Sequence, residues 1–471
     1  MIPDICGSES STIHPIQRVA AGLPLYTNPE EPPFLITQYS PMYFYIVGGI
    51  YKMLGFDPLN VHRVYAFSRL FSLGFLLLSI GIIFISLRQI LKIKNIPSLL
   101  VCLLIFHILS YWATIASRPD SLLFTLFTLF IYFIAKAFQV EHKRRLYLSL
   151  AIFTGVLSFF CKQNGMIYPI ILGFYFLYQK DWKTLFRLIV IGFLTFTICV
   201  FAFSFFEPKA FFQNIIGGVV NSTHLGGWYG FTMKPLIFPF AIIITGGLTI
   251  GFKWIVFQKN DFKSLLGWAV FILFIFEAIT GLKDGSNVSY FTDFLYIALL
   301  IICIFLYEYK IPSITSQVFV AGFSVCTLAH CCAAVTIGFN TTNQGYYHDL
   351  FGSDKKITEY IVNDQKLKPD EYVYLGTLKT NYALWYLRNF LFKNNIVAYE
   401  ELNMSTAKNK VFNFIRFDDL IKSGQLRFVI VEKGVEPNSL FKDPFQRKNT
   451  DFKLKTSMEY VDIYENITNF H

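Results

Sequence analysis

Apolar residues fall along this chain in long blocks separated by short polar breaks. Between residues 64 and 338 ten blocks are predicted to be membrane-spanning helices: 64–87, 97–117, 120–138, 146–160, 165–179, 184–206, 236–257, 264–281, 289–307 and 316–338. A helical span needs roughly 20 predominantly apolar residues. The fourth and fifth blocks are shorter and are interrupted by Cys161-Lys-Gln-Asn-Gly165, which predicts a tilted or bent pair. Residues 41–60 are rich in Tyr and Phe but soon reach Lys52 and Asp57. They are too short to span and are read as an interfacial helix.

After residue 338 the pattern becomes that of a soluble domain. Glu371–Gly376, Asn395–Tyr399 and Leu426–Glu432 read as strands, the last apolar enough to be buried on both faces. Asn381–Phe390 reads as a helix and 451–466 as a closing hairpin, with no glycine-rich phosphate loop. The expected fold is a polytopic α-helical membrane protein of about ten spans with a small C-terminal α/β domain. Its expected parts are an acidic loop with interfacial helices (1–63), a transmembrane bundle (64–338) and an α/β domain (345–471).

Composition supports this. The 471 residues are 54% hydrophobic and include 53 Phe and 27 Tyr, and only 15% are charged. Soluble domains carry about 25% charge. The net charge of +10 is therefore read as a topology signal, and no nucleic-acid partner is expected. Arg88, Lys92 and Lys94, then Lys136, Lys143, Arg144 and Arg145, then Lys180 and Lys183, then Lys253, Lys259 and Lys263, and finally Lys310 fall in alternate loops. Those loops are assigned to the cytoplasm and all others to the outer face. This places a 63-residue amino-terminal segment outside with nothing before Asp4 to carry it across, so a native first helix is expected upstream. The eight cysteines lie mostly in apolar runs without a CxxC pair, and neither a metal site nor a disulfide framework is predicted.

The polar residues of the outer face carry the candidate chemistry. Gly7–Arg18 is polar and lysine-free, and Glu9 is the candidate general base, with Asp4 in reserve. A carboxylate within hydrogen-bond reach takes a proton from an acceptor, and partial burial tunes it for that work. The plainer reading is a solvated loop acid. Arg118 and Asp120 meet in Ser117-Arg-Pro-Asp120, either as a helix-start ion pair or as a phosphate grip by the planar guanidinium. Lys162, next to Gln163, is either a snorkelling lysine or a second phosphate-binding cation. Lys283 and Asn287 lie in a turn, followed by Tyr290 and by Asp293 at the mouth of an apolar helix, a costly place for an unpaired charge.

Four marks resemble the GT-C class of membrane glycosyltransferases that use polyprenyl-phosphate sugars. The resemblance is strongest to the branch of protein mannosyltransferases, lipid A aminoarabinose transferases and lipopolysaccharide galacturonosyltransferases. Glu9-Ser-Ser-Thr-Ile-His-Pro-Ile-Gln-Arg18 with Ala21–Tyr26 resembles the acidic first outer loop, and Gln38-Tyr-Ser-Pro-Met-Tyr-Phe-Tyr45 the aromatic segment after it. Arg118-Pro-Asp-Ser-Leu122 with Lys162-Gln163, and then Ser289-Tyr-Phe-Thr-Asp293, resemble later motifs in order and spacing. Many members have adjacent Asp-Glu in the first loop, whereas Asp4 and Glu9 are separated here.

The resemblance implies sugar transfer from a polyprenyl-phosphate donor to a lipid, glycan or protein acceptor, with inversion, at the periplasmic face of a bacterial inner membrane. Glu9 or Asp4 would be the base, and Arg118, Lys162 and Lys283 would hold the phosphate. His14, Tyr39, Asp120, Gln163, Asn287, Tyr290 and Asp293 would support them. No cofactor is implied, nor an essential divalent metal. A transporter or flippase for an anionic or lipid-linked solute would also place cations at a membrane cavity. Transporters favour internal repeats and midplane polar sites, whereas here no repeat is evident and the polar residues collect on one face.

Overall fold

The computed structural model describes residues 9–111, 116–205, 207–220, 223, 225–258, 261–283, 286–308, 345–376, 385–393, 396–397, 406, 409–434 and 452–467. Asp4, the predicted span 316–338 and parts of the predicted 381–390 helix and 395–399 strand lie outside these residues. Among the described residues seven helices are long and apolar enough to cross a membrane: Val61–Ile90, Asp120–Gln139, Glu141–Cys161, Trp182–Ser204, Leu225–Phe257, Phe262–Thr280 and Val288–Glu308. The chain is an integral membrane protein. Two further predicted spans form shorter helices, α4 (Asn95–Tyr111) and α7 (Ile167–Tyr178).

The chain divides into two compact bodies, and the division falls within α3 (Val61–Ile85) and α8 (Trp182–Ser204), which is followed by the short helices α9 (Pro208–Ile215) and α10 (Leu225–Gly227). The larger body spans 71–200 and 222–337. In it α5 (Asp120–Gln139) lies against α6 (Arg144–Cys161), and α11 (Lys234–Phe257) against α12 (Phe262–Thr280) and α13 (Thr292–Glu308). Without a hydrophobic drive between helices in lipid, close approach of small residues does much of the packing. A Cβ on Gly267 would stand 2.6 Å from Gly251 O, and one on Gly251 2.8 Å from Val270 Cγ1. Polar groups are satisfied locally: Ser79 Oγ lies 2.9 Å from Thr125 Oγ1, which donates to Ser121 O or Phe75 O.

The other body joins 1–70, 201–221 and 338–471. Its amino-terminal stretch, read from sequence as a loop, forms helix α1 (Glu9–Ala20). The helix buries Ile13 and Ile16 and packs along α2 (Met42–Met53). The two helices touch at Gly48, where a Cβ would come within 2.8 Å of Ile16 O. The same body holds a five-stranded sheet in the order β2-β1-β3-β5-β4, from β1 (Tyr372–Gly376), β2 (Ile396–Val397), β3 (Leu426–Glu432), β4 (Phe452–Ser457) and β5 (Val461–Asn466). β1 runs parallel to β2 and β3, and β5 is antiparallel to β3 and β4.

Central β3 is buried on both faces, as its apolar run predicts. Phe428 and Ile430 join Leu35, Val373, Leu387 and Ile463 on one side. Val429 and Val431 join Phe34, Tyr374 and Phe417 on the other. Phe34 and Leu35 thus anchor the amino-terminal segment in the cores of the C-terminal sheet. Gln17 adds polar ties, donating to Asn389 O at 2.8 Å and to Pro58 O at 2.7 Å.

Candidate active site

Within the larger body, helix termini gather five of the predicted residues. Asp120 opens α5 and accepts from Lys162 Nζ at 2.8 Å through Oδ1. Arg118 Nε lies 3.2 Å from Asp120 Oδ2, an ion pair whose angle does not make a hydrogen bond. Both oxygens of one carboxylate are thus engaged by cations, each largely shielded from solvent. The Lys162 ammonium also sits 5.1 Å from the centroid of the Tyr290 ring, in cation–π contact.

The turn after α6 places Lys162. Gly165 folds back on the preceding helix so tightly that a Cβ there would stand 2.6 Å from Ser158 Cβ. Gln163 begins the short 3-10 turn that follows. Tyr290 and Asp293 are presented by the turn Val288–Phe291 and the start of α13. Exposed Asn287 caps that turn, accepting from Ser289 N at 2.9 Å and from Ser289 Oγ at 2.6 Å. Asp293 Oδ2 accepts from Tyr168 Oη at 2.5 Å. The Tyr168 ring stacks on Phe127 at 4.5 Å, which holds the hydroxyl in place.

Lys283 is half-buried in an isolated bridge with Thr223. Burial, with the neighbouring Lys162 charge, lowers its pKa to about 8. The larger body therefore brings Arg118, Asp120, Lys162, Tyr290 and Asp293 together, with Lys283 within electrostatic range of Lys162. A cavity of about 30 Å³ opens among Asp120, Lys162, Asn164, Glu277, Tyr290 and Asp293. A larger cavity of about 450 Å³ lies at the other helix ends, among Arg144, Lys263 and Glu308, and touches none of the predicted residues.

In the other body Glu9 is fully buried and held by a bidentate guanidinium: Arg69 Nε donates to Oε1 at 2.9 Å and Arg69 Nη2 to Oε2 at 2.5 Å. The two parallel bonds of the fork fix the plane of the carboxylate. His14 is buried between the charges of Arg18 and Arg388. Burial first, then those cations, push its pKa well below the usual imidazole range. Arg18 Nε donates to Pro24 O at 2.9 Å, and burial lowers its pKa to about 10. Tyr39 contributes a backbone carbonyl that accepts from Tyr26 Oη at 3.0 Å.

Three residues not singled out from sequence stand beside these groups. Arg69 lies within the predicted first span, 60 residues from its partner Glu9. Tyr168 sits in the short apolar helix α7. Glu277 is the lone ionisable residue of the predicted span 264–281, a signal available in the sequence. Among the described residues no group of three or more His, Cys, Asp or Glu could hold a metal ion.

This arrangement of helices and terminal sheet is the GT-C fold of membrane glycosyltransferases. The chain is similar to the crystal structure of ArnT from Cupriavidus metallidurans bound to undecaprenyl phosphate, with a TM-score of 0.60 and 14% identity over 97% of this chain and 93% of that one. The apo form of the same ArnT gives a TM-score of 0.62 at 13% identity over 98% and 93%. The archaeal oligosaccharyltransferase AglB from Archaeoglobus fulgidus, in complex with an inhibitory peptide and a dolichol-phosphate, gives 0.54 at 11% identity over 91% and 65%. No model of a protein family matches the chain, and no curated protein does.

Proposed function

We propose that this protein is a glycosyltransferase that moves a sugar from a polyprenyl-phosphate donor to an acceptor at the outer face of the membrane, with inversion at the anomeric carbon. The observation that carries the reading is the Arg118–Asp120–Lys162 cluster, two cations on one carboxylate at the helix ends of a GT-C fold. An ArnT of that fold binds undecaprenyl phosphate. In this reading Arg118, Lys162 and Lys283 hold the departing phosphate. Cations that bind more strongly as charge builds on the leaving group lower the barrier rather than only the ground state. Asp120 orients the two cations, and Tyr290 positions the ammonium of Lys162.

Glu9 takes the proton from the acceptor as it attacks, and Arg69 fixes the carboxylate's orientation. Asp4 is the other carboxylate able to serve. The alternating basic loops support an outer-face reaction, and the likeness to a bacterial ArnT supports a bacterial inner membrane with the C-terminal domain in the periplasm. The test is sugar transfer from a radiolabelled polyprenyl-phosphate donor pool in membranes carrying wild type, Glu9→Gln or Arg118→Ala. Both variants are expected to accumulate normally and to lose transfer. Transfer that survives Arg118→Ala unchanged would overturn the phosphate assignment, and an inactive wild type that moves a lipid-linked solute would favour a transporter.

A further inference from the structure

Glu277 is a carboxylate that the reaction outlined above does not use. It lies near the carboxy-terminal end of α12, 3% exposed, in a helix otherwise free of charge from Ser264 to Thr280. One interaction fixes it: the backbone N–H of Phe294 donates to its carboxylate, and Asp293 is near enough to act on it electrostatically. Its Oε2 is buried with no hydrogen-bond partner among the described residues. A buried carboxylate oxygen without a partner is costly, so its retention needs an explanation. It lines the small cavity that also touches Lys162, Asp120 and Asp293.

The cavity is too small for a sugar ring. At about 30 Å³ it admits one water-sized group, such as a single hydroxyl. Its wall offers acceptors from Glu277 and Asp293, and one of the Asp293 oxygens is already engaged by Tyr168. A hydroxyl, which both donates and accepts, suits a wall that mixes the carboxyl groups of Asp120, Glu277 and Asp293 with the amine of Lys162.

We propose that Glu277 is the sugar-reading residue of the donor site: its free Oε2 accepts a hydrogen bond from one hydroxyl of the donor sugar, which inserts into the cavity beside Lys162 while the ring stays outside. This rests on the reading of Lys162 as a phosphate ligand. It adds a contact made only by the sugar-loaded lipid and not by the bare polyprenyl phosphate. A single hydrogen bond of this kind changes affinity by about three- to tenfold.

The experiment compares two probes on full-length protein in detergent: undecaprenyl phosphate, and the labelled polyprenyl-phosphate sugar pool extracted from the protein's native membranes. Wild type is expected to bind the sugar-loaded pool more tightly than undecaprenyl phosphate. Glu277→Ala should lose about three- to tenfold on the loaded pool and keep its affinity for undecaprenyl phosphate. Glu277→Gln keeps the side-chain shape and guards against misfolding. It should lie between the two on the loaded pool and match wild type on undecaprenyl phosphate. Equal weakening on both probes would make Glu277 a structural residue and overturn the proposal, as would no change on either. A wild type that binds neither probe would instead sink the donor reading itself.

Discussion

Lys162 Nζ stands 2.8 Å from Asp120 Oδ1 although 42 residues separate the two in the chain, and the carboxylate it meets is shared with Arg118. Two cations on one anion leave the Arg118–Asp120–Lys162 trio itself with one positive charge in excess, before the neighbouring Asp293 is counted, and that excess suits the trio to receive a second anion. A solitary ion pair would be neutral and would gain much less from a phosphate.

Removing the shared anion should expose that imbalance. Asp120→Asn is expected to lower unfolding stability by about 3–5 kcal/mol, because it leaves two largely buried cations facing each other. Lys162→Met added to it should recover part of the loss, so the double variant lies above the sum of the singles. Denaturant unfolding in detergent across the four proteins measures this. Additive singles would mean that the contact does not couple the two residues.

The Glu9–Arg69 pair makes a different prediction, since the carboxylate is fully buried. Arg69→Met is expected to cost about 3–5 kcal/mol, the usual result of stranding a buried charge. Combining it with Glu9→Gln should restore most of that stability but no sugar transfer. Transfer regained in the double variant would show that Glu9 is not the base.

Much of this fold is legible in the sequence, and the reasons differ from residue to residue. Arg118, Asp120, Lys162 and Asp293 stand out because a charge at the edge of an apolar block is expensive anywhere in such a chain. The apolar run of β3 announces a strand buried on both faces, and the cores around Phe428 and Val429 agree. Helix α1 is hidden because Pro15 and its polar neighbours look like a loop, whereas in the fold Ile13 and Ile16 are buried and the helix meets Gly48 of α2 through Ile16 O and the Val19 side chain. The partnership of Arg69 with Glu9 depends on tertiary proximity, which no local pattern encodes. Glu277 is legible as the lone acid of its apolar span, a signal that lies outside the polar loops.

His14 links the amino-terminal helix to acid stability. Burial and the charges of Arg18 and Arg388 hold it neutral in the folded protein. The unfolded chain takes up a proton near pH 6.5, the ordinary imidazole value, so below that pH the unfolded state binds more protons and stability falls as pH drops. The loss continues down to the lowered folded pKa, with a limiting slope of about 1.4 kcal/mol per pH unit. Melting temperatures in detergent between pH 5 and 8 should show this slope in wild type and a flatter profile in His14→Asn. Parallel profiles would place the acid sensitivity elsewhere.

Lys283 gives the donor site its own pH dependence. With a pKa of about 8, lowered by burial and then by Lys162, its ammonium is charged below that pH and is lost as pH rises through it. A phosphate held partly by Lys283 should therefore bind with constant affinity up to about pH 7.5. Above pH 8 it should weaken progressively, toward about tenfold per pH unit. Lys283→Arg keeps its charge throughout, because a guanidinium does not titrate in this range, and should hold its affinity to pH 9 or beyond. Lys283→Met should bind weakly at neutral pH and show no step near pH 8. Undecaprenyl phosphate binding measured from pH 6.5 to 9.5 distinguishes the three proteins. A step near pH 8 that persists in Lys283→Met would assign the titration to another group and remove Lys283 from the phosphate site.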